Sequence, residues 1–87
     1  MLIQVKQADI VVANDQRLNS VSNLAECCPV YFAACRAFKT QEILISSDKI
    51  RVIGENSVKN YLLPQFVIDK IKIYDESMVM TPFEFEV

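Results

Sequence analysis

The sequence contains no histidine, one glycine and three cysteines. A Cys-His catalytic pair is impossible without histidine, and no other residue is evidently placed to activate a thiol. One glycine is too few for the glycine-rich loops that bind phosphate groups. Three cysteines without histidine cannot supply the two separated ligand pairs of a structural zinc site. The sequence therefore predicts no enzymatic activity, no cofactor and no metal site.

Long hydrophobic runs are also lacking. No stretch approaches the roughly 18 apolar residues that span a bilayer, and the first fifteen residues lack the arrangement of a signal peptide. An odd number of cysteines in such a chain is typical of reduced thiols, not of a disulfide scaffold. We therefore expect a cytoplasmic protein that does not act at membranes.

What the sequence does contain is a large apolar fraction in a short chain. It has 87 residues, of which 52% are hydrophobic. A chain of this length builds one core, so residues 1–87 are predicted to form a single domain. In so small a body some apolar surface stays exposed until a partner or a second copy covers it. A homodimer is therefore expected.

The charge is slightly negative and unevenly distributed. Nine basic residues against eleven acidic ones give a net charge of −2, which disfavours direct binding of nucleic acid. The last thirteen residues contain four acidic side chains and no basic one. These carboxylates are either ordinary solvated charges or part of a surface that meets a basic partner or a second copy.

The first half of the chain predicts a strand and a helix. The apolar residues of "LIQV", residues 2–5, indicate a strand. Residues 8–15 either continue it or form a short helix, and the Asn- and Ser-rich residues 14–26 predict a surface loop with a turn of helix around 18–24. A helix is expected to begin at Pro29, whose fixed φ and missing N–H suit the first helical position.

The second half predicts a hairpin, a helix and a last strand. Two β-branched runs flank the turn formers Ser46–Asp48, and residues 58–63 can return as a further strand. Pro64 is placed to start a second helix, which presents one apolar stripe formed by Val67, Ile71 and Tyr74. The alternation of residues 70–74 also fits a strand, but the proline and the length of the run favour the helix. Residues 83–87 alternate apolar and acidic side chains, as in a half-buried antiparallel strand.

This order, β-α-β-β-α-β, predicts an α+β fold. We expect one antiparallel sheet of three to four strands with two helices on one face.

The cysteines at the start of the first predicted helix allow two interpretations. A helix N-terminus can lower the pKa of a thiol, which would make Cys27 or Cys28 nucleophilic. Cysteine is also among the most frequently buried residues, and Cys28 and Cys35 lie seven positions apart on one helical face. Core packing is the preferred interpretation, ahead of a reactive thiol and of a metal ligand.

The candidate binding residues are acidic side chains near the C-terminus and apolar side chains in a connection, where polar residues are usual. The apolar run "MVM" follows a helix end, where adaptable methionines suit either a core lid or an interface. The candidate partner-binding residues are Asp75, Glu76, Met78, Met80, Glu84 and Glu86. As an alternative, Lys49 and Arg51 with nearby aromatic side chains would bind a nucleotide between protomers.

Three segments resemble a family of short uncharacterised phage and bacterial proteins. That family carries Cys-Pro-Val-Ala-x-Ala before a helix, Tyr-x-Leu-Pro before another, and a C-terminal Pro-Phe-x-Phe-Glu with an aliphatic residue. The matching positions here are Cys28, Pro29, Val30, Ala33, Tyr61, Leu63, Pro64, Pro82, Phe83, Phe85 and Glu86. Bulkier residues stand at Tyr31 and Phe32, and Ser77 stands where a glycine is usual.

The resemblance implies a small phage-type accessory protein, working in the host cytoplasm, that blocks a host defence system. The expected function is non-catalytic inhibition of a host protein by direct contact, with the acidic residues mimicking nucleic-acid charge. Two alternatives remain open at this point: a sponge that sequesters a nucleotide signal, and a structural module that only associates with itself.

Overall fold

The computed structural model describes residues 1–19 and 28–87. Eight elements follow one another along the chain: β1 (Leu2–Val5), α1 (Gln7–Asn19), α2 (Pro29–Phe38), β2 (Ile43–Ile45), β3 (Lys49–Ile53), β4 (Val58–Leu62), α3 (Gln65–Ser77) and β5 (Phe83–Glu86). The predicted α+β class is confirmed. None of the helices in the described ranges is long and apolar enough to cross a membrane.

The strands form two antiparallel sheets, where the sequence predicted one. β1 pairs with β5, and β2, β3 and β4 form a separate meander in that order. On the side of β1 away from β5, Arg36 of α2 donates a hydrogen bond from Nη2 to the carbonyl oxygen of Gln4 at 2.7 Å. A backbone acceptor of β1 is therefore satisfied by a side chain and not by another strand.

A third helix, α1, replaces part of the predicted loop. Residues 7–19 form α1, so the short-helix alternative for residues 8–15 is correct, the surface loop predicted for 14–26 is wrong at 14–17, and the turn of helix predicted around 18–24 agrees at 18–19. Residues 20–26 lie outside the described residues. Asp9 stabilises the start of the helix by accepting the backbone N–H of Lys6 at 2.8 Å, as an acidic group at a helix N-terminus does. Ile10 and Ala13, one turn apart, are buried, and this packing outweighs the weak helix propensity of the β-branched run.

The other elements agree with the sequence pattern. Pro29 is the first residue of α2, and Pro64 is the N-cap of α3. The predicted stripe of α3 is buried as a unit, since Val67, Ile71 and Tyr74 all lie in the interior. The meander turns at Ser46–Asp48, where the N–H of Ser46 donates to the carbonyl of Lys49 at 3.0 Å.

One core joins the two sheets through α2. This helix contacts α1, β1 and β2, and its small residues Ala33 and Ala34 are almost fully buried. Small side chains let neighbouring backbones approach closely, and α2 contacts one strand of each sheet. The largest fully buried side chains come from both sheets and from the helices: Tyr74, Ile3, Ile50, Val5, Val30, Val67 and Pro29.

Candidate partner-binding surface

The thiol groups belong to the core and its margin. Cys28 is the N-cap of α2 and is buried. Burial raises the pKa of its thiol to about 11, against the opposing effect of hydrogen bonds from the backbone of Val30 and Tyr31. Burial also raises the pKa of Cys35. Both thiols are therefore protonated at neutral pH, which is the opposite of an activated nucleophile. Cys27 lies outside the described residues.

A buried carboxylate, Asp9, links β1, α1 and α2. Its two oxygens accept hydrogen bonds from Arg36, from Nη1 at 2.7 Å and from Nη2 at 2.9 Å. The hydrogen bond to Asp9 raises the pKa of Arg36. With the Lys6 N–H also donating to it, Asp9 is held in place as a structural ion pair, and its environment resembles that of a fold-stabilising group more than that of a general base.

A second ion pair involves Asp75, one of the predicted partner-binding residues, and connects two helices. Asp75 accepts a hydrogen bond from Arg17 at 2.8 Å, and the Arg17 side chain is almost fully buried. The same guanidinium lies 4.5 Å from the centre of the Tyr74 ring, whose hydroxyl donates to Asn14 at 2.6 Å. Asp75 therefore anchors the end of α3 to α1, and its charge is largely balanced within the chain.

An exposed apolar region lies along α3 and the connection after it. We call it the α3 surface and define it by Phe66, Lys70, Ile73, Val79 and Met80. Phe66, Ile73 and Val79 are 47%, 55% and 63% exposed. A groove of about 150 Å³ runs between Lys70, Ile73, Val79 and Met80. Four of these five residues thus share one groove, and Phe66 lies on the same helix as Lys70 and Ile73.

Phe83 of β5 supports this surface from below. Its ring meets that of Phe66 edge to face at 6.2 Å between centroids, and the ammonium of Lys70 lies 5.1 Å from its centre. Such contacts hold aromatic and cationic side chains in defined positions. The exposed residues at the start of α3 are therefore pre-organised.

The two predicted methionines have different roles. Met78 ends α3 in the left-handed conformation, with φ of 58°, and its N–H donates to the carbonyl of Tyr74 at 2.7 Å. Met80 packs partly against the core and lines the groove of the α3 surface. Met80 thus belongs to the candidate surface, whereas Met78 lies at its margin.

The remaining acidic candidates lie on two elements. Glu76 is exposed near the end of α3, and Glu84 and Glu86 are exposed on β5. Glu84 lines a groove of about 410 Å³ together with Phe83 and residues of β1. Glu86 lies 3.5 Å from the amino group of Met1. Glu76 thus shares α3 with the α3 surface, whereas Glu84 and Glu86 lie on β5 beside β1.

Lys49 and Arg51, the alternative ligand-binding residues, share the outer face of the meander. Arg51 donates from Nε to Oδ1 of its cross-strand neighbour Asn60 at 3.3 Å. Lys49 lies opposite Leu62. Neither residue lines the grooves described above, and nucleotide binding at this face stays a prediction.

The candidate surface contains residues that the sequence pattern did not single out. Phe66 and Ile73 flank the buried stripe of α3 in the sequence, and the pattern does not tell whether a flanking position is covered. The available signal was an excess of apolar residues: α3 has more of them than one stripe can bury.

Comparison of the chain with protein-family models, with curated proteins and with solved structures finds no match. The resemblance to short phage and bacterial proteins therefore stays a prediction. Within residues 1–19 and 28–87, no group of three or more His, Cys, Asp or Glu side chains is arranged to hold a metal ion.

Proposed function

We propose that this protein is a non-catalytic binding domain, a phage-type accessory protein that inhibits a host defence protein by covering part of its surface. The observation that carries the proposal is the exposed α3 surface. Isolated exposed apolar residues are ordinary, but a contiguous set beside a groove is typical of an interaction site.

The spacing of the exposed residues fits a known mode of recognition. Phe66, Lys70 and Ile73 lie at positions i, i+4 and i+7 of α3, the arrangement by which a helix enters a groove on a partner. Aromatic anchors that are already rigid lose little conformational entropy on binding. Phe66, held against Phe83, is therefore the expected central contact.

The flanking charges favour a partner with a basic rim. Glu76 follows Ile73 on α3, Glu84 follows Phe83 on β5, and both are exposed; no ion pair of the described residues involves them. Complementary charge around an apolar centre speeds association and selects the partner. We infer that the host protein offers an apolar pocket bordered by Lys or Arg.

The proposal is tested by capture and then by direct binding. The tagged protein is expressed in host cells and copurified proteins are identified by mass spectrometry, for the natural sequence and for Ile73→Gln. The matched control is Val11→Gln on α1, because Val11 has the same 55% exposure as Ile73. Glutamine keeps helix propensity in both variants.

The purified partner then decides the outcome. Ile73→Gln should weaken its binding at least tenfold and relieve inhibition of its activity to the same degree, while Val11→Gln changes neither. Equal effects of the two variants, or binding without any loss of the partner's activity, would show that the proposed function is wrong.

A further inference from the structure

The edge strand β4 supports a second proposal, which does not depend on the α3 surface. β4 is the last strand of the meander, and among the described residues it pairs with β3 alone. Its Val58 and Leu62 are 53% and 74% exposed. An uncovered edge with apolar side chains is a template for adding another strand.

The hydrogen bonds of the β3–β4 ladder show which backbone groups are free. The N–H of Leu63 donates to Asp48 at 2.8 Å, and the N–H of Gly54 donates to Ser57 at 2.7 Å. Hydrogen-bonded pairs alternate along an antiparallel ladder, so the backbone groups of residues 57, 59, 61 and 63 face β3. Those of Val58, Asn60 and Leu62 face the open side.

We propose that a second copy of this chain pairs with this edge, β4 against β4 in antiparallel orientation, with Asn60 opposite Asn60 of the second copy. In that register Val58 lies opposite Leu62 of the second copy, on both sides of a two-fold axis. Each of these three pairs has its N–H and C=O groups directed at the other strand, so about six backbone hydrogen bonds form.

Charge and side-chain chemistry select this register. A shift that places Lys59 opposite Lys59 of the second copy opposes like charges, which is unfavourable across strands. In the proposed register Lys59 faces Tyr61 of the second copy, a cation beside an aromatic ring. The strand sequence VKNYL is thus complementary to itself when it is centred on Asn60.

The resulting dimer has one six-stranded sheet. A single five-residue strand buries less than a standard interface of about 1,600 Å², so the dimer is expected to be weak and concentration-dependent. Its outer face carries the Val58–Leu62 contacts, and Lys49 and Arg51 of both copies lie on that same face.

Sedimentation velocity over a range of roughly 5 to 500 μM tests the proposal. A shift from monomer to dimer is expected as the protein concentration rises through this range, because weak interfaces dissociate at micromolar concentrations. Asn60→Pro should abolish the shift, since it removes an N–H that β3 does not use, and proline is tolerated at such edge positions. Circular dichroism verifies that the variant is folded.

A pair of charge substitutions tests the register even if Asn60→Pro fails to fold. Val58→Lys or Leu62→Glu alone should weaken dimerisation severalfold, and the double variant should recover it, because each Lys then faces a Glu of the second copy. Monomers at all concentrations, or a dimer that ignores every one of these changes, would overturn the proposal.

Discussion

The two sheets are built from similar alternating strands, yet their free edges differ. In the β1–β5 sheet, β1 has its Gln4 carbonyl bound by Arg36. The N–H of Val87 donates to Met1 at 3.0 Å, so the backbone groups of Glu84 and Glu86 face the free side of β5. The free side of β4 instead carries Val58, Asn60 and Leu62.

This difference concerns association and not folding. A second β5 strand pairing with the first would place glutamates opposite glutamates, since the strand reads FEFE, and like charges across strands repel. One edge is thus protected by charge, as natural sheets often are, while the edge of β4 pairs with no further strand among residues 1–19 and 28–87. Side chains beside a strand edge therefore determine whether that edge can accept another strand.

The largest expected effect tests whether the two sheets fold as one unit. Ile3 of β1 and Ile50 of β3 are both fully buried in the shared core. Replacing either by alanine should lower the free energy of unfolding by about 3 kcal/mol, from lost burial and the cavity left behind.

Urea unfolding followed by circular dichroism measures this effect, with Leu18→Ala as the exposed control, because Leu18 is 76% exposed and lies outside both proposed surfaces. A single transition that shifts equally for both core variants is expected. Two separate transitions, each sensitive to one variant, would mean that the sheets are independent.

A pH experiment tests α2, the helix between the sheets. The pKa of Cys28 is raised from 9.0 to about 11, so its neutral form is favoured in the folded state. The shielding of the neutral Cys28 thiol contributes about 2 kcal/mol to the free energy of unfolding. This contribution is fully present below pH 9 and is lost as the pH rises towards 11.

The measurement compares the free energy of unfolding of the natural sequence with that of Cys28→Ala at several pH values. Other groups titrate in this range in both proteins, so the difference between the two curves isolates Cys28. Parallel curves between pH 8 and pH 11 would show that the thiol is not shielded from solvent.

The smallest expected effect on stability comes from substitutions that make the edge of β5 resemble the edge of β4. Replacing Glu84 and Glu86 together by threonine should change the free energy of unfolding by less than about 0.5 kcal/mol, because both side chains are exposed. It should, however, add a second site of strand pairing and produce species larger than a dimer. Light scattering at increasing concentration measures this, and unchanged masses would show that charge is not what protects β5.

The local sequence predicted much of the fold and little of the candidate surface. Pro29 and Pro64 indicated where two helices start, and the spacing of Val67, Ile71 and Tyr74 indicated the buried face of α3. The start of α1 was harder, because Asp9 favours a helix through its contacts with Lys6 and with the distant Arg36. The exposure of Ile73 and Val79 depends on which elements cover them, and the local sequence pattern does not contain that information.

Composition and periodicity therefore determined the α+β class, most element positions and the alternation of buried and exposed side chains, since these depend on residues within one or two turns. Tertiary structure alone decided that the terminal strands pair with each other, that Asp75 joins Arg17, and that α3 and β4 keep apolar residues uncovered. These outcomes depend on contacts between segments far apart in the chain, and many distant pairings are compatible with the same local pattern.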